Sequence, residues 1–539
     1  MLDGFTPWPE EFASRYREEG LWRGETMGEV LRRAARAHGD KAALVHGGRR
    51  VGYAELDRWA DRLAAGFAAH GLRAGDRVVV QLPNVPDFVA IAFGLMRLGV
   101  KVVFSLPAHR ATEITHLVEL SGAVAYLVPE THRGFDFRDL ARQVQGDTTT
   151  LRTLFVLGAK TDGFVSVAEV ESAVPEPRPL PEPAASDVAF FLLSGGTTAL
   201  PKLIPRTHND YVYMSHQAAR VCELTEDDVY LAVLPIEFNF AFGCPGVVGT
   251  FHTGGTVVLA DTPNPLDCFP LVEEHGATVT AMVPSIMTLW LEAAEWAEDD
   301  LSSLRLVQVG GARMPREFTE RITPTLGARL QQVFGMAEGL LTFSRPDDPE
   351  EAVLTTQGRP ISDADEVRIV AGDGTVLPPG EVGELVTRGP YTLRGYYRVP
   401  DYNRRAFTPD GFYRSGDLAR LTEDGDLVIE GRIKETIIRG GDKVAAGEVE
   451  DLLLAHPGVA AAAVIGVPDP FLGERICAFL VAAGAEVPLA DLKKSVHARG
   501  VADYKLPDVV RYLPELPLTP LGKVDKKALA AHAASDQEG

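Results

Sequence analysis

The chain has 539 residues, of which 45% are hydrophobic and 24% are charged. This balance is typical of a chain that buries a substantial core, and it excludes wholesale disorder. With 53 Lys and Arg against 75 Asp and Glu, the formal net charge is −22. Nucleic acid is not expected as a partner, because binding it requires clustered cations.

The scattered cysteines and the lack of long apolar segments indicate in which cellular compartment the protein is expected. The four cysteines are scattered and form no CxxC pair. Neither a zinc site nor a redox motif is therefore predicted, and a reducing cytoplasm is expected. The first residues lack a basic region followed by an apolar run, and no stretch approaches about 18 uncharged apolar residues. We expect no signal peptide, no membrane association and a cytoplasmic location.

Alternating helix and strand patterns begin near residue 41, after an irregular start. Apolar residues at three- and four-residue spacing predict a helix over 56–67, and a second helix is predicted over 86–98. Strands are predicted at 77–82, 100–104, 230–234, 255–259 and 306–309. Such alternation favours mostly parallel sheets covered by helices, which is an α/β architecture.

The second half of the chain changes texture. A proline-rich segment at 174–185 predicts a surface connector, and from about residue 360 short strands indicate antiparallel sheet. A small α+β unit is predicted after the boundary at Arg432, so the domains are 1–432 and 433–539. Its helices are predicted at 447–455 and 489–499, and its strands at 459–467 and 476–482. Residues 530–539 are expected to be frayed.

A loop rich in glycine and hydroxyl groups follows the apolar strand predicted at 190–193. It reads Ser194-Gly-Gly-Thr-Thr-Ala-Leu-Pro-Lys202. Adjacent glycines let backbone N–H groups approach an anion closely, and Lys202 supplies a cation, so the loop predicts a phosphate site. A P-loop NTPase is disfavoured, because Leu203 stands where that motif has the hydroxyl that binds magnesium.

Further motifs extend this pattern over most of the sequence. They are Val333-Phe-Gly-Met-Ala-Glu338, Tyr413-Arg-Ser-Gly-Asp417, Gly431-Arg-Ile-Lys-Glu435, Arg439-Gly-Gly-Asp-Lys-Val444 and Leu518-Thr-Pro-Leu-Gly-Lys-Val524. With the phosphate loop they resemble the adenylate-forming superfamily, and within it the stand-alone aryl-acid adenylating enzymes. The resemblance implies a large N-terminal multi-layer α/β domain, with parallel sheets and a distorted antiparallel barrel, and a small mobile C-terminal α+β domain.

The resemblance assigns a role to single residues of these motifs. Lys523 would be the main electrostatic catalyst, Glu338 would hold Mg²⁺, and Lys202 would assist catalysis at the phosphates of ATP. Asp417 and Arg432 would bind the ribose. The ATP site implied in this way consists of Ser194, Gly195, Gly196, Thr197, Thr198, Lys202, Gly311, Ala312, Val333, Phe334, Gly335, Asp417 and Arg432.

By the same resemblance the reaction has two half-reactions. In the first, an aryl carboxylate attacks the α-phosphorus of ATP to give aryl-AMP and pyrophosphate. Little proton transfer is needed, because the carboxylate is already ionised at neutral pH. In the second, the aryl group moves to a thiol after the C-terminal domain swings about a hinge at Lys434, which removes Lys523 from the site.

The segment 234–246 matches the acyl-pocket motif of these enzymes. Asn239 fits the asparagine that hydrogen-bonds the ortho-hydroxyl of an aryl acid, and Phe240 supplies an aromatic wall. Gly310 would form another wall, where a bulky side chain would block a flat ring. Phe238 is a departure, because the aryl-acid ligases usually have His at this position, and it makes an additional alkyl group on the ring plausible.

Two positions distinguish the candidate aryl acids. Where 2,3-dihydroxybenzoate enzymes tend to have Ser and Val, this chain has Cys244 and Leu341. The Cys244 thiol is a weak hydrogen-bonding partner and would leave a 3-hydroxyl unsatisfied, and Leu341 is larger than valine and would crowd it. Together they would cost about 1–3 kcal/mol of binding free energy. We expect salicylate or a methyl-substituted salicylate as the substrate, with 2,3-dihydroxybenzoate as the alternative. The alternative that Cys244 is a small buried residue without influence on selectivity stays open.

The expected acceptor is a phosphopantetheine-bearing aryl carrier protein, because the similar enzymes feed siderophore and related peptide assembly lines. The C-terminal unit is relatively basic through Lys493, Lys494, Arg499, Lys505, Arg511, Lys526 and Lys527. These cations either dock an acidic carrier or form a solvated helix face.

Two other functions are alternatives. An aryl-CoA ligase of the same fold would use free CoA as the acceptor. A non-catalytic scaffold derived from such an enzyme is disfavoured, because the residues expected to bind ATP and to catalyse the reaction are all present. These residues are Lys202, Glu338, Asp417, Arg432 and Lys523.

Overall fold

The computed structural model describes residues 2–177, 180–194, 200–311, 314, 316–432, 436–517 and 524–535. The helices in these ranges are α1 Glu10–Glu18, α2 Met27–His38, α3 Tyr53–Ala69, α4 Pro86–Arg97, α5 Ala111–Ser121, α6 Phe137–Asp147, α7 Val167–Ala173, α8 His208–Val221, α9 Asn239–Gly243, α10 Gly246–Thr253, α11 Pro265–His275, α12 Pro284–Ala294, α13 Arg316–Leu326, α14 Glu350–Thr355, α15 Pro400–Ala406, α16 Ala446–Leu454, α17 Leu489–His497 and α18 Lys526–Ser535.

The strands in the same ranges are β1 Ala42–His46, β2 Arg49–Gly52, β3 Arg77–Val80, β4 Lys101–Phe104, β5 Ala125–Pro129, β6 Thr131–His132, β7 Phe135–Asp136, β8 Thr153–Leu157, β9 Val165–Ser166, β10 Val188–Ser194, β11 Lys202–Thr207, β12 Val229–Ala232, β13 Thr256–Leu259, β14 Val279–Met282, β15 Leu306–Gly310, β16 Arg329–Met336, β17 Gly339–Phe343, β18 Arg359–Pro360, β19 Glu366–Val370, β20 Gly383–Arg388, β21 Tyr413–Leu421, β22 Leu427–Arg432, β23 Thr436–Arg439, β24 Asp442–Ala445, β25 Val459–Asp469, β26 Gly473–Ala482 and β27 Val509–Tyr512.

Two large sheets form most of the N-terminal part. Over the described residues, one sheet has nine strands in the order β18-β17-β16-β15-β14-β12-β13-β1-β2, and its strands from β16 to β1 are parallel. Counted over the same ranges, the other has seven strands in the order β11-β10-β4-β3-β5-β8-β9, and only β11 is antiparallel to its neighbour. The predicted α/β architecture is confirmed.

Helix α4 shows why the two sheets share one core. It contacts β4 of one sheet and β1 of the other, and every residue except Asp87 is buried. A helix that is covered on all sides needs apolar residues on all sides, which its sequence provides. Pro86 at its first turn fits the helix start, because the missing N–H has no intrahelical partner there.

The start of the chain is more regular than its sequence suggested, since α1 and α2 lie in the region expected to be irregular. Helix α2 begins with a capping box. Glu29 N–H donates to the Thr26 hydroxyl over 3.1 Å, and Thr26 N–H donates to the Glu29 carboxylate over 2.7 Å. The Thr-x-x-Glu spacing predicts this start, and the expectation of an irregular segment was wrong.

Strands β19–β22 form an antiparallel meander in chain order. This sheet stands where the distorted antiparallel barrel was expected. Its last strand ends at Arg432, whereas β23 begins at Thr436 and pairs with β24 and β26 of another sheet. The predicted domain boundary lies at this change of sheet.

The small α+β unit is built on β23–β27. Residues of α16 and α17 pack on one face of this sheet, in the cluster that contains Val449 and Leu492. On the other face, Leu529 and Ala533 of α18 are buried against Phe479. The expected fraying from residue 530 was therefore wrong as far as Ser535, because this helix covers an apolar face. No helix within the described residues has the length and apolar content to cross a membrane.

Candidate active site

A cavity of ≈480 Å³ is lined by both large sheets and by the C-terminal unit. It lies at the carboxyl ends of parallel strands, the edge at which open α/β sheets bind ligands. The strand ends that contribute to its lining include Phe104 of β4, Ser194 of β10, Val233 after β12, Val283 after β14 and Gly311 after β15. The sequence-predicted residues in its lining are Ser194, Phe238, Asn239, Phe240, Gly311 and Gly335.

Asn239 and Phe240 line the part of this cavity that we call the slot. Asn239 is buried, and its Nδ2 lies 3.5 Å from the carbonyl of Met336. Its Oδ1 has no hydrogen-bond partner among the described residues, although burial usually requires one. A Cβ on Gly310 would stand 3.3 Å from the ring of Phe240 and 2.8 Å from the Val333 carbonyl. Glycine is required here, because a Cβ would clash with the Val333 carbonyl of the neighbouring strand.

Cys244 and Leu341 lie behind the wall of this cavity. Each is 1% exposed, and neither belongs to the residues that line it. Leu341 lies behind Gly335, with its Cδ2 2.6 Å from the position that a Cβ on Gly335 would take. Burial raises the pKa of the Cys244 thiol, so it stays protonated. Their influence on substrate choice stays a prediction.

Glu237 is the residue of this segment that the sequence analysis did not single out. It lines the cavity and is 5% exposed. Neither of its carboxyl oxygens has a hydrogen-bond partner in the described part of the chain. Burial raises its pKa to about 8. A lone acidic residue in the apolar run Leu234-Pro-Ile-Glu-Phe238 was the sequence signal for it.

The corner predicted to bind phosphate includes the antiparallel pair of β10 and β11. Ser194 at the end of β10 pairs with Lys202 at the start of β11. Lys202 is 5% exposed, and its Nζ lies 4.2 Å from the ring centroid of Tyr402 and 5.5 Å from that of Tyr396. The aromatic faces attract this cation and restrict its position.

Glu338 lies at the same corner, in contact with Tyr396. The Tyr396 hydroxyl donates to Glu338 Oε1 over 2.8 Å, and the hydroxyls of Tyr396 and Tyr413 are also 2.8 Å apart. Burial, followed by the charge of Glu338, raises the pKa of Tyr413, and Asp417 contributes in the same direction. Three separated motifs therefore converge, through Lys202, Glu338 and Asp417, around a pair of tyrosines that sequence reasoning missed.

The remaining nucleotide-site predictions are distributed as follows. Val333 lies in β16 opposite Gly310 of β15, and Phe334 follows it. Asp417 is 2% exposed and pairs through the backbone with Arg432. The predicted site residues that lie outside the cavity lining, within the described part of the chain, include Lys202, Gly310, Val333, Phe334, Glu338 and Asp417. The predicted site residues that lie outside the described part of the chain are Gly195, Gly196, Thr197, Thr198, Ala312, Lys434 and Lys523.

A hairpin of the C-terminal unit closes one side of the cavity. Gly440 and Gly441 connect β23 to β24 with φ values of 58° and 92°, which suits a tight two-residue turn. Both line the cavity, and a Cβ on Gly441 would stand 2.8 Å from Cγ1 of Val283. Positive φ and close approach both require glycine at the tip.

A buried ion cluster joins the C-terminal unit to the N-terminal domain. Lys505 Nζ lies 3.0 Å from Glu113 Oε1 of α5 and 2.8 Å from Glu448 Oε1 of α16. Burial alone would lower the pKa of Lys505, but the two carboxylates raise it. Lys505 is 4% exposed, so it belongs to neither a docking patch nor a solvated face, and both sequence interpretations were wrong for it.

Comparison with known proteins identifies the family. The AMP-binding enzymes match residues 31–397, and the C-terminal domain of AMP-binding enzymes matches residues 448–523. The chain belongs to the AMP-binding enzyme family. The resemblance to the adenylate-forming enzymes is thereby confirmed, and the boundary predicted at Arg432 lies between the two matched segments.

Individual members of the AMP-binding family resemble this chain along its whole length. A 2,3-dihydroxybenzoate-AMP ligase of Bacillus subtilis (strain 168) is 50% identical over 529 residues, which cover 98% of this chain and 97% of that protein. A salicyl-AMP ligase / salicyl-S-ArCP synthetase of Mycobacterium tuberculosis is 47% identical, covering 98% of this chain and 94% of that protein. The apo structure of MbtA from Mycobacterium smegmatis has 48% identity and a TM-score of 0.77, with 98% of each chain covered.

Proposed function

We propose that this chain is an ATP-dependent aryl-acid–AMP ligase that activates salicylate or a methyl-substituted salicylate. The aryl group would then pass to the phosphopantetheine thiol of an aryl carrier protein in siderophore or nonribosomal peptide biosynthesis. The relatives support the reaction class, since their names include salicylate and 2,3-dihydroxybenzoate ligases.

The unpaired Oδ1 of Asn239 is the observation that carries the substrate assignment. It belongs to a cavity-lining residue beside Phe240, whose aromatic ring lines the same cavity. An ortho-hydroxyl that donates to this oxygen would satisfy a buried acceptor, and losing such a bond costs about 1–3 kcal/mol. A benzoate without the hydroxyl would leave the oxygen unsatisfied.

In the first half-reaction, a carboxylate oxygen of the aryl acid attacks the α-phosphorus, and the bond to pyrophosphate breaks. Lys202 would bind phosphate oxygens from its position between two tyrosines. Asp417 would accept hydrogen bonds from the ribose diol, with Arg432 next to it across the strand pair. Lys523 would neutralise the charge that develops as two anions meet.

Glu338 fits a magnesium site that is completed by substrate. Among the described residues, no group of three or more His, Cys, Asp or Glu side chains could hold a metal ion. Magnesium is commonly held by one or two carboxylates together with substrate phosphates, and the Glu338 carboxylate, which Tyr396 orients, supplies one. When bound, Mg²⁺ would neutralise phosphate charge.

In the second half-reaction, the thiol sulfur attacks the aryl carbonyl carbon, the thiol gives up its proton, and AMP leaves. The orientation of the C-terminal unit supports this step, because Gly440 and Gly441 of this unit line the cavity.

Lys526 of the same unit has a different environment from Lys505. Its ammonium is paired with the Glu450 carboxylate at 2.8 Å. Glu450 and Glu448 are two residues apart on α16 and project about 200° apart, so Lys526 lies away from the Lys505 cluster.

An ATP–pyrophosphate exchange panel tests the first half-reaction. Salicylate and its methyl-substituted forms should be activated with a higher kcat/KM than 2,3-dihydroxybenzoate or benzoate. A clear preference for 2,3-dihydroxybenzoate would contradict the substrate assignment and favour the activity named for the Bacillus subtilis relative. The absence of ATP-dependent activation with every benzoic acid would contradict the reaction class and favour a scaffold.

A separate acceptor assay tests the second half-reaction. Preformed salicyl-AMP is mixed with either a phosphopantetheinylated aryl carrier protein or free CoA, and thioester formation is followed by mass. The proposal predicts faster transfer to the carrier. Equal or faster transfer to free CoA would identify an aryl-CoA ligase instead.

A further inference from the structure

Glu237 is a buried acidic group that the proposed reaction does not use. It immediately precedes Phe238 and Asn239, and all three line the cavity. Within the described residues, neither Glu237 oxygen has a hydrogen-bond partner. A buried polar group without a partner costs several kcal/mol, and native structures nearly always satisfy it. A group that arrives with a ligand would provide the missing partner.

Two cationic side chains of the cavity, Lys505 and Arg133, already have partners within the protein. The Lys505 ammonium is shared between Glu113 and Glu448. The Arg133 guanidinium donates to the backbone carbonyl of Asp261 over 3.0 Å. In the part of the chain that the structure describes, no ion pair includes Glu237. Its carboxyl group is therefore left for a partner from outside the protein.

We propose that Glu237 forms a polar subsite for an amino or hydroxyl group that the aryl acid carries in addition to its ortho-hydroxyl, at a ring position other than position 3. This inference rests on the proposed aryl-acid activation and refines its substrate class to a salicylate with a second hydrogen-bonding substituent. One carboxyl oxygen of Glu237 accepts from the N–H or O–H of that substituent. Asn239 binds the ortho-hydroxyl, so the two groups fix the ring at two points.

The electrostatics of the site are compatible with this subsite. An ionised carboxylate here would repel the carboxylate of the substrate and the triphosphate. Because burial raises the pKa of Glu237 to about 8, the side chain is mostly protonated at neutral pH. A protonated carboxyl group both donates and accepts hydrogen bonds without a net charge. It can therefore bind a neutral polar substituent close to the reacting anions.

Matched pairs of substituted salicylates test the subsite. Each pair has an amino or hydroxyl group, or a methyl group, at the same position of the ring. Positions 4, 5 and 6 are included, and position 3 is left out because a 3-hydroxyl gives 2,3-dihydroxybenzoate, which the proposed function disfavours. ATP–pyrophosphate exchange without any thiol is the measurement, so that a role in thiol transfer does not contribute. At one position, the wild-type protein should prefer the polar analogue over the methyl analogue at least 10-fold in kcat/KM.

Substitution of Glu237 then shows whether this side chain causes the preference. Glu237→Ala should reduce the ratio of kcat/KM for the polar analogue to kcat/KM for the methyl analogue about 10-fold, and it should retain activity with the methyl analogue. Glu237→Gln should keep part of this kcat/KM ratio. Asp261→Ala is the matched control, because Asp261 is an exposed carboxylate that lines the same cavity, and its ratio should equal that of the wild type.

The outcomes separate this inference from the proposed function. If salicylate is activated but no ring position shows the preference in the wild-type protein, the subsite is refuted and the proposed function stands. The same conclusion follows if Glu237→Ala leaves the ratio unchanged, or if it slows only the transfer from aryl-AMP to a thiol. If no ortho-hydroxy benzoic acid is activated, the proposed function fails as well.

Discussion

The aryl slot and the contact of the C-terminal unit with the N-terminal domain differ in how firmly the fold holds them. The slot around Asn239 lies against buried strand ends, where a Cβ on Gly310 would stand within 3.3 Å of both Val333 and Phe240. The contact consists of polar links, such as Lys505 to Glu113 and the Thr112 hydroxyl to the Arg499 carbonyl at 2.9 Å. A slot of this kind resists repacking, whereas a few polar links can form and break as a unit moves.

This difference fits the two half-reactions that we propose. Selecting the acid requires a fixed shape, because selection depends on which buried groups stay unsatisfied. Changing from adenylate formation to thiol transfer requires a movable part, because each step needs different groups at one site. Substitutions in the slot should therefore affect the first half-reaction, and substitutions in the contact should affect the second.

The largest effect is expected from blocking the slot. Gly310→Val would place a side chain against the Val333 carbonyl and the Phe240 ring. It would thereby displace Phe240, which lines the slot. We expect kcat/KM for pyrophosphate exchange to fall by at least about 100-fold, since small misplacements at a reacting centre have effects of that size. The control is Gly372→Val, because a Cβ on Gly372 meets nothing within 4 Å. A fully active Gly310→Val would contradict the position of the slot.

A smaller effect is expected from breaking the contact. Lys505→Met would leave the buried carboxylates of Glu113 and Glu448 without their shared cation, and breaking such a cluster costs about 3–5 kcal/mol. Transfer of the aryl group to the carrier thiol should slow about 10-fold or more, while pyrophosphate exchange stays near the wild-type rate. The exposed Lys494→Met serves as control.

A second substitution sharpens this test. Glu113→Gln combined with Lys505→Met removes one of the two opposed carboxylates and should restore part of the transfer rate. If Lys505→Met instead slows exchange and transfer equally, the cluster supports general stability and does not select an orientation of the C-terminal unit.

The smallest effect concerns stability. The pKa of Glu237 is raised from 4.5 to about 8, so between these values the unfolded chain has released a proton that the folded chain keeps. Wild-type stability should therefore fall as the pH rises through this window. Because Gln does not titrate, the Tm advantage of Glu237→Gln over the wild type should grow by several degrees from pH 5 to pH 8. A constant or shrinking advantage would contradict the burial of this carboxyl group.

The architecture was predicted well from the sequence, because the alternation of helix and strand patterns and the order of the motifs can be read directly along the chain. Strands such as β3 and β4 and the α/β layers follow from apolar periodicity. The helix at the start of the chain was missed although Thr26 and Glu29 form a recognisable box. The helical end near Ala533 was missed because its stability comes from packing on Phe479, which no local pattern records.

The site was predictable only where a motif names its residues. Asn239 and Phe240 were found in this way, and both line the cavity. Tyr396 and Lys505 were not, because their roles arise from contacts with Glu338 and Glu113, far away in the sequence. Spatial pairs of this kind need the fold, and the sequence alone assigned Lys505 to the surface.

The central claim is that a lysine of the C-terminal domain acts in adenylate formation and not in thiol transfer. The direct measurement compares Lys523→Ala with the wild type in single-turnover formation of salicyl-AMP, and in transfer from preformed salicyl-AMP to the carrier. The nearby Lys526→Ala, which removes the pair with Glu450, is the control. The account predicts a loss of about 100- to 1,000-fold in the first assay and a near wild-type rate in the second. Full-rate adenylate formation by Lys523→Ala would contradict it.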